Sequence, residues 1–341
     1  APLYSSVAAL SGSASTARGL ITDFPYTGSA EITGSLGVTG SVSFSTEITT
    51  VGAAVWSAGG ALATARRQLA GAGTQTAGLA FGGNPYSTNG TCTEEYNGSS
   101  WSGGGALATG RTHLGGVGTQ TAGLAFGGYT GNPNFFNVVA TEEYNGATWS
   151  AGGTLTTGRG RFTGAGTQNA GLAFGGDPTT AATEEYNGAT WSTAGVGTLT
   201  TARRGLGGAG TQTAALAFGG DGTSSIVACT EEYNGASWST GGALATARYS
   251  LAGAGTQNAA LAFGGIGGSA CTEEYDGSSW TAGGALSSAR YELGGAGTQT
   301  AALAFGGSPG TNATEEYSPS TTLALTKTFD YSESTGDTTA T

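Results

Sequence analysis

Apolar positions in this chain alternate in short runs; they do not recur every third or fourth residue. In Ala260-Leu261-Ala262-Phe263 the two large residues share one face and the small ones the other, and Gly264-Gly265 ends the run. Before it stand Leu251-Ala-Gly-Ala-Gly-Thr256, a stretch of small residues, and a polar turn at Gln257-Asn258. After it come Cys271-Thr-Glu-Glu-Tyr275, then Asp276-Gly277, then a run opened by Trp280. Each segment has the length and period of a strand. The Asp-Gly between the last two is a strong hairpin signal and predicts a type I′ turn, with positive φ at both central residues. The pattern predicts four short antiparallel strands.

That unit occurs six times between residues 56 and 317. The six tryptophans, Trp56, Trp101, Trp149, Trp191, Trp238 and Trp280, mark the same place in each copy, spaced 45, 48, 42, 47 and 42 residues apart. Asn-Gly begins at 97, 145, 187 and 234, where the fifth copy has Asp276-Gly277. A four-stranded unit repeated at this period predicts a six-bladed, all-β propeller, with small residues nearest the axis and each Trp filling the space where blades splay apart. The array opens on an outer-strand Trp, and no Trp follows Thr314-Glu-Glu-Tyr317. An N-terminal outer strand at about 54–62 must therefore complete the last blade and close the ring.

Composition narrows the function. Glycine supplies 66 of 341 residues, at fixed places between apolar positions, which speaks for order and against low complexity. The net charge of −11 and a single lysine argue against nucleic-acid binding. No apolar run approaches the ~20 residues of a membrane span, and APLYSSVAAL does not resemble a secretory signal. Cys92, Cys229 and Cys271 occupy one position, held by alanine in the other copies, and read as small buried residues, not as metal ligands or disulfide partners.

The succession of Gly-Gly after an apolar run, Glu-x-Tyr, Trp and then Arg resembles the kelch repeat, over about three quarters of the chain. The resemblance implies a fold, not one activity. Three branches of that family do not fit. The copper oxidases need histidine and tyrosine metal ligands, and His113 is the single histidine of the chain. The adaptors need an N-terminal oligomerisation domain much longer than 50 residues. The Asp box of sialidase-like propellers has Asp where this chain has Tyr275. The phrases T-E-E-Y-N-G-x-x-W and G-T-Q-T-A-x-L-A-F-G-G further resemble kelch arrays of tailed bacteriophages of aquatic bacteria.

Two groups of residues are candidates for ligand binding. Arg66, Arg111, Arg159, Arg203, Arg248 and Arg290 stand ten residues after Trp in five copies and twelve after it in one. They could ring one mouth of the channel and hold carboxylate or sulfate groups of a glycan. The alternative is a recurring pair with the Glu-Glu carboxylates, and equal numbers favour it. The stretches between F-G-G and T-E-E-Y vary from six to twelve residues, and two of them carry Tyr86, Tyr129, Phe135 and Phe136, aromatics outside the repeat pattern. Exposed, these would suit sugar stacking or a protein contact. Turned inward, they would pack on a blade.

The expected organisation is an assembly segment at 1–50, the propeller at 51–320 and a tail at 321–341. Residues 32–44 and 323–331 alternate as strands, and the final S-T-G-D-T-T-A-T has a disordered composition. The sequence points to a non-enzymatic virion protein needing no cofactor or metal. Its expected partners are other virion proteins, through residues 1–50 and the tail, and a host-surface glycan or protein. It is expected to act as a homo-oligomer or within a larger assembly. The alternative is a secreted or cell-surface lectin-like adhesin.

Overall fold

The computed structural model describes residues 42–84, 90–131, 136–267 and 270–331, without side chains for 42–52 and 321–331. It divides into two units: Gly52–Thr321, and the segments Ala1–Val51 and Thr322–Thr341. In the second, the strands Val42–Gly52 and Thr321–Tyr331 pair with each other. The alternation at 323–331 is thus a strand. Most of 32–44 and the last ten residues lie outside the described residues.

Gly52–Thr321 is an all-β, six-bladed propeller. Its six four-stranded sheets run from an inner strand to an outer one, each strand antiparallel to the next. The first blade is typical: Ala70–Gly73 innermost, then Gly78–Phe81, Thr93–Tyr96 and, outermost, Trp101–Gly103. Large side chains cannot fit on the inner strands because neighbouring strands nearly touch. A Cβ on Gly71 would lie 2.4 Å from the carbonyl oxygen of Gly295 in the adjoining blade. The second strand is buried on both faces. Leu261 and Phe263 pack against the small Ala302 and Ala304 of the next blade, and Leu216 and Phe218 likewise meet Ala260 and Ala262. Alternation of large and small residues thus becomes complementary packing from blade to blade.

The ring closes as the order of landmarks requires. Val55–Ala58 pairs with Thr314–Ser318, Trp56 opposite Tyr317, so the last blade is built from both ends of the array. Closure by pairing removes an exposed sheet edge.

Three recurring side-chain bonds tie adjacent blades. Each Trp Nε1–H donates to a threonine of the preceding blade, as Trp238 does to Thr183 at 3.0 Å. Each Tyr hydroxyl donates to the second glutamate of the preceding blade, as Tyr186 does to Glu143 at 2.6 Å. Each turn glutamine donates to two backbone carbonyls, as Gln212 does to Gly171 and Tyr186 at 3.0 and 2.6 Å. The Trp rings also lie against aromatics on both sides: Trp56 is 5.0 Å from Phe263 of the preceding blade and 5.0 Å from Tyr317 of its own.

Two local expectations are corrected. The Asn-Gly turns are not type I′. Only the glycine is left-handed, with φ +89° at Gly98, and Asn97 is not. The Asn97 side chain shapes the turn: its Oδ1 accepts the backbone N–H groups of Ser99 and Ser100 at 3.0 and 2.9 Å. The cysteines are free but not buried. Cys92 and Cys229 are partly exposed and Cys271 is exposed, because the position lies in the loop just before the third strand.

Candidate functional site at the loop-bearing mouth

The register of the blades puts all the variable segments at one end. Ala70, at the start of the inner strand, pairs with Phe81 at the end of the second, and Phe81 pairs with Thr93 at the start of the third. The entry to every inner strand and the loops after F-G-G therefore share an end. The T-Q-T-A and Asn-Gly turns share the other.

The six recurring arginines stand at this end but do not line its mouth. Arg66, Arg111, Arg159, Arg203, Arg248 and Arg290 are 0–2 % exposed. Each guanidinium pairs with the first glutamate of its own blade: Glu94, Glu142, Glu184, Glu231, Glu273 and Glu315, at 2.8–3.1 Å. Arg66 also donates to the carbonyls of Gly82, Cys92 and Ala80. The carboxylate in turn accepts a backbone N–H from the connection that enters the blade, as Glu94 does from Ala63 at 2.6 Å. Burial pulls the arginine pKa values below the ordinary value, while the partner carboxylates oppose the shift. These groups clamp each blade to its entering chain and present no guanidinium to solvent. Of the two readings of these arginines, the structure has the pairing that their equal numbers favoured, as a set of buried ion pairs, and not an open ring.

Two residues further along, the copies disagree completely. Gln68, His113, Arg161, Gly205, Ser250 and Glu292 occupy one equivalent position and are six different residue types. All six are left-handed, with φ between 50° and 60°. Their backbones form a closed ring in which each N–H donates to the carbonyl of the preceding copy: Gln68 to Glu292, His113 to Gln68, Arg161 to His113, Gly205 to Arg161, Ser250 to Gly205, and Glu292 to Ser250, at 2.6–3.0 Å. Glycine adopts this conformation freely, whereas a residue with a Cβ pays about 1–2 kcal/mol for it. Five copies nevertheless carry a side chain there. Strained backbone of this kind gathers at functional sites.

These six residues surround a cavity of about 90 Å³ at the mouth. Below it the inner strands enclose about 220 Å³, lined by Gly, Ala, Leu, Val, Thr and Phe without a charged group. Selective chemistry is thus concentrated in the ring. Glu292 organises half of it: Oε1 meets His113 Nε2 at 3.1 Å and Oε2 accepts from Gln68 Nε2 at 3.0 Å. Burial lowers the His113 pKa, against the opposing pull of Glu292, so the imidazole is neutral at pH 7. Burial alone would raise the Glu292 carboxyl, but the bonds from His113 and Gln68 and the charge of Arg67 outweigh it, and the group is held below its ordinary value.

Of the loop aromatics, Tyr129 is buried against this site. Its ring makes an edge contact with His113 at 5.5 Å, and its hydroxyl donates to Asp177. It supports the rim and does not present a free aromatic face, which corrects the exposed reading. Asp177 also accepts from Arg204 at 2.9 Å, and Arg204 reaches Asp221 at 3.0 Å. Phe136 is 64 % exposed, on a short hairpin where Phe136–Asn137 pairs with Tyr129–Thr130. Tyr86 and Phe135 lie outside the described residues. Among the described residues no group of three His, Cys, Asp or Glu side chains could hold a metal ion.

Sequence reasoning missed the mouth ring. Its signal was present: a column that differs in every copy, between a recurring Arg and an apolar position held by Leu in five copies and by Phe162 in one. A scan against protein-family models and a search of curated proteins find no match to the chain. The fold defines its class as a six-bladed β-propeller with one differentiated end.

Proposed function

We propose that the chain is a non-enzymatic, kelch-like recognition propeller displayed on a tailed-phage particle. One observation carries the recognition reading. Recurring charged and aromatic groups are consumed inside the scaffold, whereas the residues that differ between copies gather at one end, in the mouth ring and the loops around it. A rigid scaffold with a differentiated loop face suits binding. The phage reading is supported by the T-E-E-Y-N-G-x-x-W and G-T-Q-T-A-x-L-A-F-G-G phrases. The paired strands Val42–Gly52 and Thr321–Tyr331 form a two-stranded sheet of their own, which suits attachment to other virion proteins.

Particle composition tests the display reading. Co-purification with capsid or tail proteins is expected, and a lone secreted product overturns it in favour of an adhesin. Binding of the isolated propeller to host cells tests recognition. Phe136→Ala is expected to weaken it, and unchanged binding removes that loop from the interface.

A further inference from the structure

We infer that the mouth ring is a binding site for the end of one acidic sugar, with hydroxyl groups held by Gln68 and His113 and a carboxylate held by Arg161. The inference rests on the reading that the loop-bearing end recognises a ligand and names the chemistry that end selects.

The donors and acceptors around the ring are unequal. Glu292 accepts from Gln68 Nε2, which turns the amide so that Oε1 is left as an acceptor. It also accepts from His113 Nε2–H, which leaves Nδ1 of the neutral imidazole as an acceptor. Both Gln68 Oε1 and His113 Nδ1 are buried and have no hydrogen-bond partner among the described residues. The His113 side chain is only 9 % exposed. Two buried acceptors at one cavity call for a ligand that donates, because such groups are costly to leave unfilled.

A cation would supply donors and would be attracted by Glu292, but it would leave the Arg161 guanidinium on the same cavity without a counter-group, whereas hydroxyls donate without charge. Next to His113 in the ring, Arg161 makes no ion pair or side-chain hydrogen bond with a described residue. Its guanidinium matches a carboxylate in a two-pronged contact. Gly205 follows it and carries no side chain, so the ring is interrupted beside Arg161, and Ser250 adds a hydroxyl beyond the gap. The cavity of about 90 Å³ admits the end of a sugar and no whole oligosaccharide. A hydroxylated carboxylate satisfies both halves of the ring. Neither a plain carboxylate nor a neutral sugar does.

His113 is the only histidine of the chain, so its imidazole resonances report on the mouth alone. The full chain is titrated with glucuronate, glucose, acetate and glycine and followed by NMR at His113. Glucuronate is expected to shift these signals saturably and more tightly than the other three. Arg161→Gln is expected to weaken glucuronate by about tenfold, one charge-assisted contact, and to leave glucose unchanged. Asn187→Ala, in a turn at the opposite end of the propeller, is expected to leave the response intact. The proposal is overturned if glucuronate causes no saturable shift, if glucose or glycine matches it, or if Arg161→Gln binds as wild type does. Circular dichroism of Arg161→Gln confirms that a lost response is not lost folding. A His113 response without host-cell binding supports the mouth site and counts against host recognition. Host binding with a silent mouth does the reverse.

Discussion

At the residue scale, the same side chain serves as scaffold or as site according to its position in the repeat. Arg159 and Arg161 are two residues apart. One is enclosed with Glu184 at 3.0 Å, and the other lines the mouth. Removing one partner of a buried pair strands a charge. Glu184→Ala is therefore expected to destabilise the propeller by about 3–5 kcal/mol in denaturant unfolding. Arg161→Gln should leave unfolding nearly unchanged. His113 gives a pH dependence with a defined sign. Its folded pKa lies below the ordinary 6.5, because burial disfavours the charged form. The unfolded chain then takes up the proton first as pH falls, so the contribution is present above about pH 6.5 and is lost as pH drops through the folded value. Melting of wild type should fall below pH 6.5 more steeply than that of His113→Asn. Parallel curves would remove His113 as the cause.

At the element scale, strands and their pairing were legible because a period of two needs only local sequence. The alternation in Ala260–Phe263 and the Trp landmarks placed four strands per blade and the strand that closes the ring. The turns were less legible. Asn-Gly is compatible with more than one turn, and the choice here follows from the bonds that Asn187 Oδ1 accepts from Ala189 and Thr190 at 3.0 and 2.8 Å. Replacing Asn187 with Ala removes an acceptor for two backbone donors. The expected cost is about 1 kcal/mol, read as a shifted denaturant midpoint. Closure has its own test. A chain starting at residue 60 lacks Val55–Ala58 and exposes the Thr314–Ser318 edge. It is expected to associate at concentrations where the full chain does not, as size-exclusion chromatography with light scattering would show.

At the scale of the whole molecule, stability is shared among the blade interfaces. Six tyrosine–glutamate bonds cross them, and the phenols are buried. Burial, reinforced by the partner carboxylates, raises Tyr96, Tyr144, Tyr186 and Tyr275 to about 12. Raised values mean that the folded state holds these protons more tightly. The contribution is complete below pH 10 and is lost as pH rises from 10 to about 12. Phenolate absorbance of these residues should therefore appear together with unfolding and not before it. Early ionisation in a folded chain would contradict the buried bonds.

By itself the sequence determined the six copies, the all-β blades and the direction of closure, because strand period and landmark order are properties of a linear pattern. It also suggested pairing of the recurring arginines and glutamates from their equal numbers. Only the tertiary structure decided which charges are consumed in those pairs, that Tyr129 turns inward to His113, and that Gln68, His113, Arg161, Gly205, Ser250 and Glu292 meet. Those six are spread over more than 200 residues of chain. Closing the ring joins them through hydrogen bonds between neighbouring blades, and no local pattern encodes that meeting.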